Sequence, residues 1–105
     1  MKGKVKKMEI RTSGITGKDV FNCGSSTPIK DVVGVQLNVV DIYVTDKEDG
    51  TTAGYLKTTD GQMYATISNS ILGQLEGLAE LLPATVVAVS KKSNSNRDYL
   101  MLELV

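Results

Sequence analysis

The chain has 105 residues, 41% of them hydrophobic and 23% charged, with one cysteine, four tyrosines, one phenylalanine and neither tryptophan nor histidine. That length holds one domain with one modest core, which excludes a two-domain enzyme and, at this apolar content, a disordered chain. Twelve basic and twelve acidic side chains cancel, so a polyanionic partner can be argued only from where the charges sit.

Their placement is uneven. Residues 1–30 carry Lys2, Lys4, Lys6, Lys7, Arg11, Lys18 and Lys30 against Glu9 and Asp19, a balance of +5, whereas residues 31–90 balance to −6 and residues 91–105 to +1. A lone Cys23 cannot form an intrachain disulfide, and without histidine there is no Cys/His zinc site. No apolar stretch follows the basic start, as a secretion signal requires, and no run reaches the ~18 residues needed to span a bilayer. These features predict a cytoplasmic chain with no membrane segment.

Lys4 to Arg11 alternates charged and apolar residues and reads as a short edge strand or a basic arm. Thr16 and Asp19 have the spacing of a helix cap, and only Val20 and Phe21 are bulky and apolar before Gly24, Ser25 and Ser26, so one short helical turn is expected. Gly24 to Pro28 is a loop. The β-branched run from Val32 to Thr45 predicts the first main strand, bent near Gly34. The DKEDGTT turn, with Asp49-Gly50 at its tip, leads into a second strand over Ala53 to Thr59. Asp60-Gly61 then reads as a two-residue hairpin into a third strand over Gln62 to Ile67.

After Ser68, Asn69 and Ser70, any of which can cap a helix, Ile71, Leu72, Leu75, Leu78, Ala79 and Leu82 recur at helical spacing for about three turns until Pro83. Gly73 and Gly77 on this helix are expected to let a neighbour approach closely. Thr85 to Ser90 is the fourth strand and KKSNSN a basic turn. Tyr99 to Val105 is the fifth strand, with Leu100, Leu102 and Leu104 on one face.

A basic extension over residues 1–30 therefore precedes a barrel over residues 32–105. The order strand, strand, strand, helix, strand, strand selects a mainly β, five-stranded Greek-key barrel of the oligonucleotide/oligosaccharide-binding (OB) kind, with its amphipathic helix between strands three and four. An SH3-like barrel also has five strands but normally lacks a three-turn helix at that place.

A two-residue turn at Asp60-Gly61 would set Lys57 opposite Tyr64, Leu56 opposite Ala65 and Tyr55 opposite Thr66. Leu56, Met63, Ala65 and Ile67 would then face inward, and Tyr55, Lys57, Tyr64 and Thr66 outward. Pairing Tyr43 opposite Tyr55, with Val40, Ile42 and Val44 inward, adds a third ring to the outer surface. Bases stack on such rings while ammonium groups meet phosphates, at ~1–3 kcal/mol per stacked base. Lys91, Lys92 and Arg97 lie in the loop between strands four and five, one of those lining an OB groove, and Tyr99 sits beside them on the face opposite the leucines. The nucleic-acid-binding candidates are thus Tyr43, Tyr55, Lys57, Tyr64, Thr66, Lys91, Lys92, Arg97 and Tyr99. Each also has a plainer role as a solvated β-former, and Cys23 reads as an inert thiol.

Signatures of catalysis are missing: no histidine base, no phosphate-cradling Gly-rich loop with Lys-Ser or Lys-Thr, no nucleophile elbow. Asp46, Glu48 and Asp49 lack the twelve-residue calcium-loop pattern. No enzymatic activity, cofactor or metal is predicted.

From about Ile15 to Val105 the chain resembles the small single-stranded-DNA-binding proteins encoded by phages and mobile elements of Gram-positive bacteria. The segments carrying the resemblance are ITGKDVFN, PIKDVVG, GYLKTTDGQMYATISNSILGQLEGLAELL and VSKKSNSNRDYLMLEL. The resemblance implies an OB fold and sequence-tolerant binding of single-stranded DNA in phage or plasmid replication or recombination, in the cytoplasm of a bacterial host. The implied sheet positions are Tyr55, Lys57 and Tyr64, and the implied loop positions Lys91, Lys92 and Arg97. Housekeeping bacterial relatives end in an acidic recruiting tail, which is not expected here, and the absence of Trp and Phe from the sheet implies weak affinity unless several copies bind side by side along a strand, so self-association stays open. The alternative is an OB-fold protein adaptor in a phage or plasmid assembly, using the tyrosines as an interface; RNA is a third option.

Overall fold

In the computed structural model, which describes residues 9–105, seven strands and two α-helices form a mainly β, curled open sheet, or half-barrel. The strands are β1 (Ile10–Arg11), β2 (Thr27–Pro28), β3 (Gln36–Asp46), β4 (Thr52–Thr58), β5 (Met63–Thr66), β6 (Ala84–Lys92) and β7 (Asp98–Leu104). The helices are α1 (Gly17–Asn22) and α2 (Asn69–Ala79). The expected strand or arm over Lys4 to Arg11 falls largely outside the described residues; its end, Ile10–Arg11, pairs antiparallel with β3.

The five expected strands are β3 to β7, with β1 and β2 as short additions. The first main strand starts later than predicted, at Gln36, because Ile29–Val32 forms a 3₁₀ turn and Gly34 takes φ +87°. Its bulge falls between Val39 and Asp41 rather than at Gly34. The extra residue there makes Val39, not Val40, the inward neighbour of Ile42 and Val44; Val39, Ile42 and Val44 are fully buried.

The sheet runs β2-β5-β4-β3-β6-β7, with β1 beside β3. Among the described residues no ladder joins β5 to β7, so the strands do not close into a ring. Both edges that closure would use are occupied. β2 adds in parallel to β5, pairing Thr27 with Tyr64 and Pro28 with Ala65. On β7, the Gln74 side chain donates to the Leu102 carbonyl (2.9 Å) and accepts from the Leu102 N–H (2.8 Å), imitating a neighbouring strand.

Alternation along β3, β4, β6 and β7 gives the sheet an apolar inner face, and α2 covers it. Ile71, Leu72, Leu75 and Leu78 meet Leu37, Val39, Ile42, Val44, Leu56, Val86, Ala88 and Leu102 in one cluster, which Ile29 completes. Ser68 caps the helix, its hydroxyl accepting from the Ile71 N–H. The close approach comes from the sheet: a Cβ on Gly54 would lie 2.7 Å from Leu75 Cδ1 and 2.8 Å from Leu72 Cδ2. Gly73 and Gly77, expected to serve this purpose, face open space.

The three hairpins among the described residues share one geometry. Lys47 and Thr51, Thr58 and Gln62, and Ser93 and Arg97 each bracket a three-residue loop through an N–H to carbonyl bond of 2.7–3.0 Å. The last loop residue is left-handed in every case: Gly50 (φ +90°), Gly61 (φ +85°) and Asn96 (φ +64°). These are the residue types that tolerate that region. Asp60 Oδ1 accepts from the Thr58 hydroxyl and the Gln62 N–H, so the aspartate secures the wider loop instead of a two-residue turn.

Candidate nucleic-acid interface

That one extra loop residue changes the face of every side chain on β5. Lys57 pairs with Met63, Leu56 with Tyr64, Tyr55 with Ala65 and Gly54 with Thr66. Tyr64 and Thr66, predicted outward, therefore point to the inner side: Tyr64 packs on the core cluster and Thr66 is 8% exposed. Met63 and Ala65 take the outer face in their place.

Tyr43, Tyr55 and Lys57 do share the outer face. Tyr43 lies opposite Tyr55 as predicted, and their rings stack with centroids 5.7 Å apart. Their predicted exposure, however, is not found for the whole set. Tyr55 is 5% exposed and Tyr43 half-buried. The cover is the segment from Thr12 to Ser25, which crosses this face as a strap. The Thr12 hydroxyl (2.6 Å) and the Gly14 N–H (2.9 Å) donate to Asp41 Oδ1. Lys57 Nζ donates to Asp19 Oδ2 (2.8 Å) and to the Gly14 carbonyl (3.2 Å). Ile15 is 3% exposed although it lies outside the main cluster.

The strap's short helix is set by local sequence. Thr16 and Asp19 form a capping box, each side chain accepting from the other's backbone N–H. Asp19 thus does two tasks, capping α1 and neutralising Lys57. Its carboxyl is held below the ordinary value of 3.8, chiefly by the Lys57 hydrogen bond and then by the Thr16 N–H. Burial, followed by the neighbouring Cys23 thiol and Tyr43, pushes the Tyr55 phenol up to about 12. Lys57 is consequently ion-paired within the fold and 21% exposed, where a free outward side chain was expected.

The second group of candidates stands together and is accessible. On the β6–β7 ribbon Lys91 pairs with Tyr99 and Lys92 with Asp98. Lys91 bonds Glu103 (3.1 Å) and Lys92 bonds Asp98 (3.3 Å), with all four side chains between 45% and 70% exposed. Pairs so exposed contribute little and exchange readily for another anion. Lys92, Arg97 and half-buried Tyr99 line a shallow cleft of about 570 Å³ at the tip of the ribbon, together with Ser70 from the first turn of α2 and Asn94. Charge and spacing identified Lys92, Arg97 and Tyr99. Ser70 and Asn94 gave no signal beyond being polar, because only the fold brings the helix start to the ribbon.

No family model, curated protein or solved structure matches the chain. No helix among the described residues is long and apolar enough to cross a membrane.

Proposed function

We propose that this chain binds single-stranded DNA without strong sequence preference, through the β6–β7 ribbon. The carrying observation is the meeting of Lys92, Arg97 and Tyr99 at one cleft on an exposed ribbon, with Lys91 paired opposite Tyr99. Phosphates replace Asp98 and Glu103 as partners of the lysines, and a base stacks on Tyr99. The order β5-β4-β3-β6-β7, with α2 after β5, supports reading the half-barrel as an OB fold opened between its third and fifth strands. In this reading the chain acts in phage or plasmid DNA replication or recombination in the bacterial cytoplasm, with several copies along one strand compensating for few stacking rings. It is a binding module without catalysis or cofactor.

Anisotropy of a labelled oligothymidine tests this. Binding is expected at micromolar protein in low salt and to weaken steeply as salt is added. The Lys91→Ala/Lys92→Ala/Arg97→Ala variant should lose at least tenfold in affinity, and no binding by the unaltered chain in low salt refutes the proposal.

One observation favours the adaptor reading as a second choice. Phe21 is 88% exposed on α1, and Leu81, Leu104 and Val105 are each more than half exposed. Such side chains serve protein contacts better than phosphates.

A further inference from the structure

Beside β2, where β4 begins and β5 ends, lies a cleft of about 390 Å³ distinct from the ribbon tip. Ile29, Ala53, Tyr55, Ala65 and Leu100 give it an apolar wall, and Ile67 contributes a side chain that is 70% exposed. Lys30 and Lys47 also line it, with Pro28, Thr66 and Ser68. Both lysines are exposed, and neither belongs to an ion pair found among the described residues. The lysines on the ribbon, by contrast, already have carboxylate partners.

An apolar wall beside two exposed ammonium groups, of which Lys47 also feels the charge of Asp49, selects a molecule with an apolar body and an attached anion. The volume suits one small unit of that kind and not a folded partner. We infer that this cleft binds one nucleotide, its base against the accessible part of the wall, Pro28, Ala65, Ile67 and Leu100, and its phosphate between Lys30 and Lys47. The inference rests on the nucleic-acid reading above for its choice of anion. It adds a second contact point on the sheet, away from the ribbon tip. A free mononucleotide and one unit of a bound strand present the same chemistry.

The test is amide chemical-shift mapping on the full ¹⁵N-labelled chain, titrated separately with thymidine 5′-monophosphate, thymidine and an oligothymidine. Saturable shifts are expected at Ala53, Ala65, Ile67 and Leu100 with the monophosphate, and at least tenfold weaker binding of the nucleoside. Lys30→Ala/Lys47→Ala replaces exposed side chains only, so its spectrum should stay folded while monophosphate affinity falls at least tenfold. Shifts confined to residues 91–99, or an unchanged affinity in that variant, overturn the assignment. Oligothymidine binding that needs Lys92 and Arg97 but leaves the cleft amides unmoved overturns it as well, while the proposed function stands. Monophosphate in the cleft without oligothymidine binding supports the cleft as a free-nucleotide site and sinks the proposed function.

Discussion

Lys57 Nζ lies 2.8 Å from Asp19 Oδ2, joining the end of β4 to the capping box of α1 across 38 positions of sequence. The two side chains are 21% and 16% exposed. The bond ties down a strap whose helix α1 has no fully buried residue of its own, so polar contacts carry much of its attachment.

Asp19→Asn removes the charge from that bond and weakens the capping box. A loss of about 1 kcal/mol is expected, at the upper end for a partly exposed pair plus part of a cap. Tyr55 should also become more reactive toward tetranitromethane, because the strap above it loosens. A variant as stable as the parent, with Tyr55 equally protected, would show that Ile15 and the Asp41 bonds hold the strap unaided.

Acid should destabilise the fold through three aspartates. Asp19, Asp49 and Asp60 are all held below 3.8, first by hydrogen bonds from Lys57, Thr51 and Thr58 respectively. Between the lowered value and 3.8 the unfolded chain binds protons that the folded chain does not, so stability rises with pH there. Their contribution is complete above that window and lost as pH falls through the folded values. Thermal melts from pH 6 to pH 2.5 check this, and a Tm that stays level below pH 4 contradicts it.

Alkali acts in the opposite sense on Tyr55. Its phenol ionises at about 12 when folded against 10.0 ordinarily. Over that interval the folded chain keeps a proton that the unfolded chain has lost, so stability falls as pH rises. Absorbance at 295 nm should show a late phenolate step that Tyr55→Phe abolishes. Cys23→Ala should move the step lower by less than burial raises it, since the thiol is the smaller cause.

Gly54→Val places side-chain atoms where Leu72 and Leu75 already sit, with even a bare Cβ at 2.8 and 2.7 Å from them. Both leucines are buried, so α2 must shift. A loss of about 2 kcal/mol is expected by analogy with overpacked cores, and Gly54→Ala should cost less. Urea melts decide it. Gly73→Ala, in open space on the same helix, should instead be neutral or stabilising.

Much of the architecture was legible because it depends on neighbours in sequence. Thr16 and Asp19 announce their cap, the β-branched run announces β3, and the leucine spacing over residues 71–82 identifies the face of α2 that is buried. The Asp60-Gly61 hairpin was found at the right place with the wrong loop length. A two-residue and a three-residue loop both suit Asp-Gly, and hydrogen bonds from Thr58 and Gln62 to Asp60 select the longer one. A single residue of register then carried Tyr64 and Thr66 to the core side.

Sequence by itself determined the order of the main strands and helices, the positions of the turns, and the basic ribbon with Lys91, Lys92, Arg97 and Tyr99, since these follow from local hydrogen bonding, side-chain periodicity and charge. Tertiary structure alone decided that Tyr55 is covered, that Lys57 faces Asp19, and that Gln74 and β2 occupy the edges a closed barrel would join. Exposure and ion pairing depend on which distant segment lies above a side chain, and the spacing of residues along the chain does not encode that.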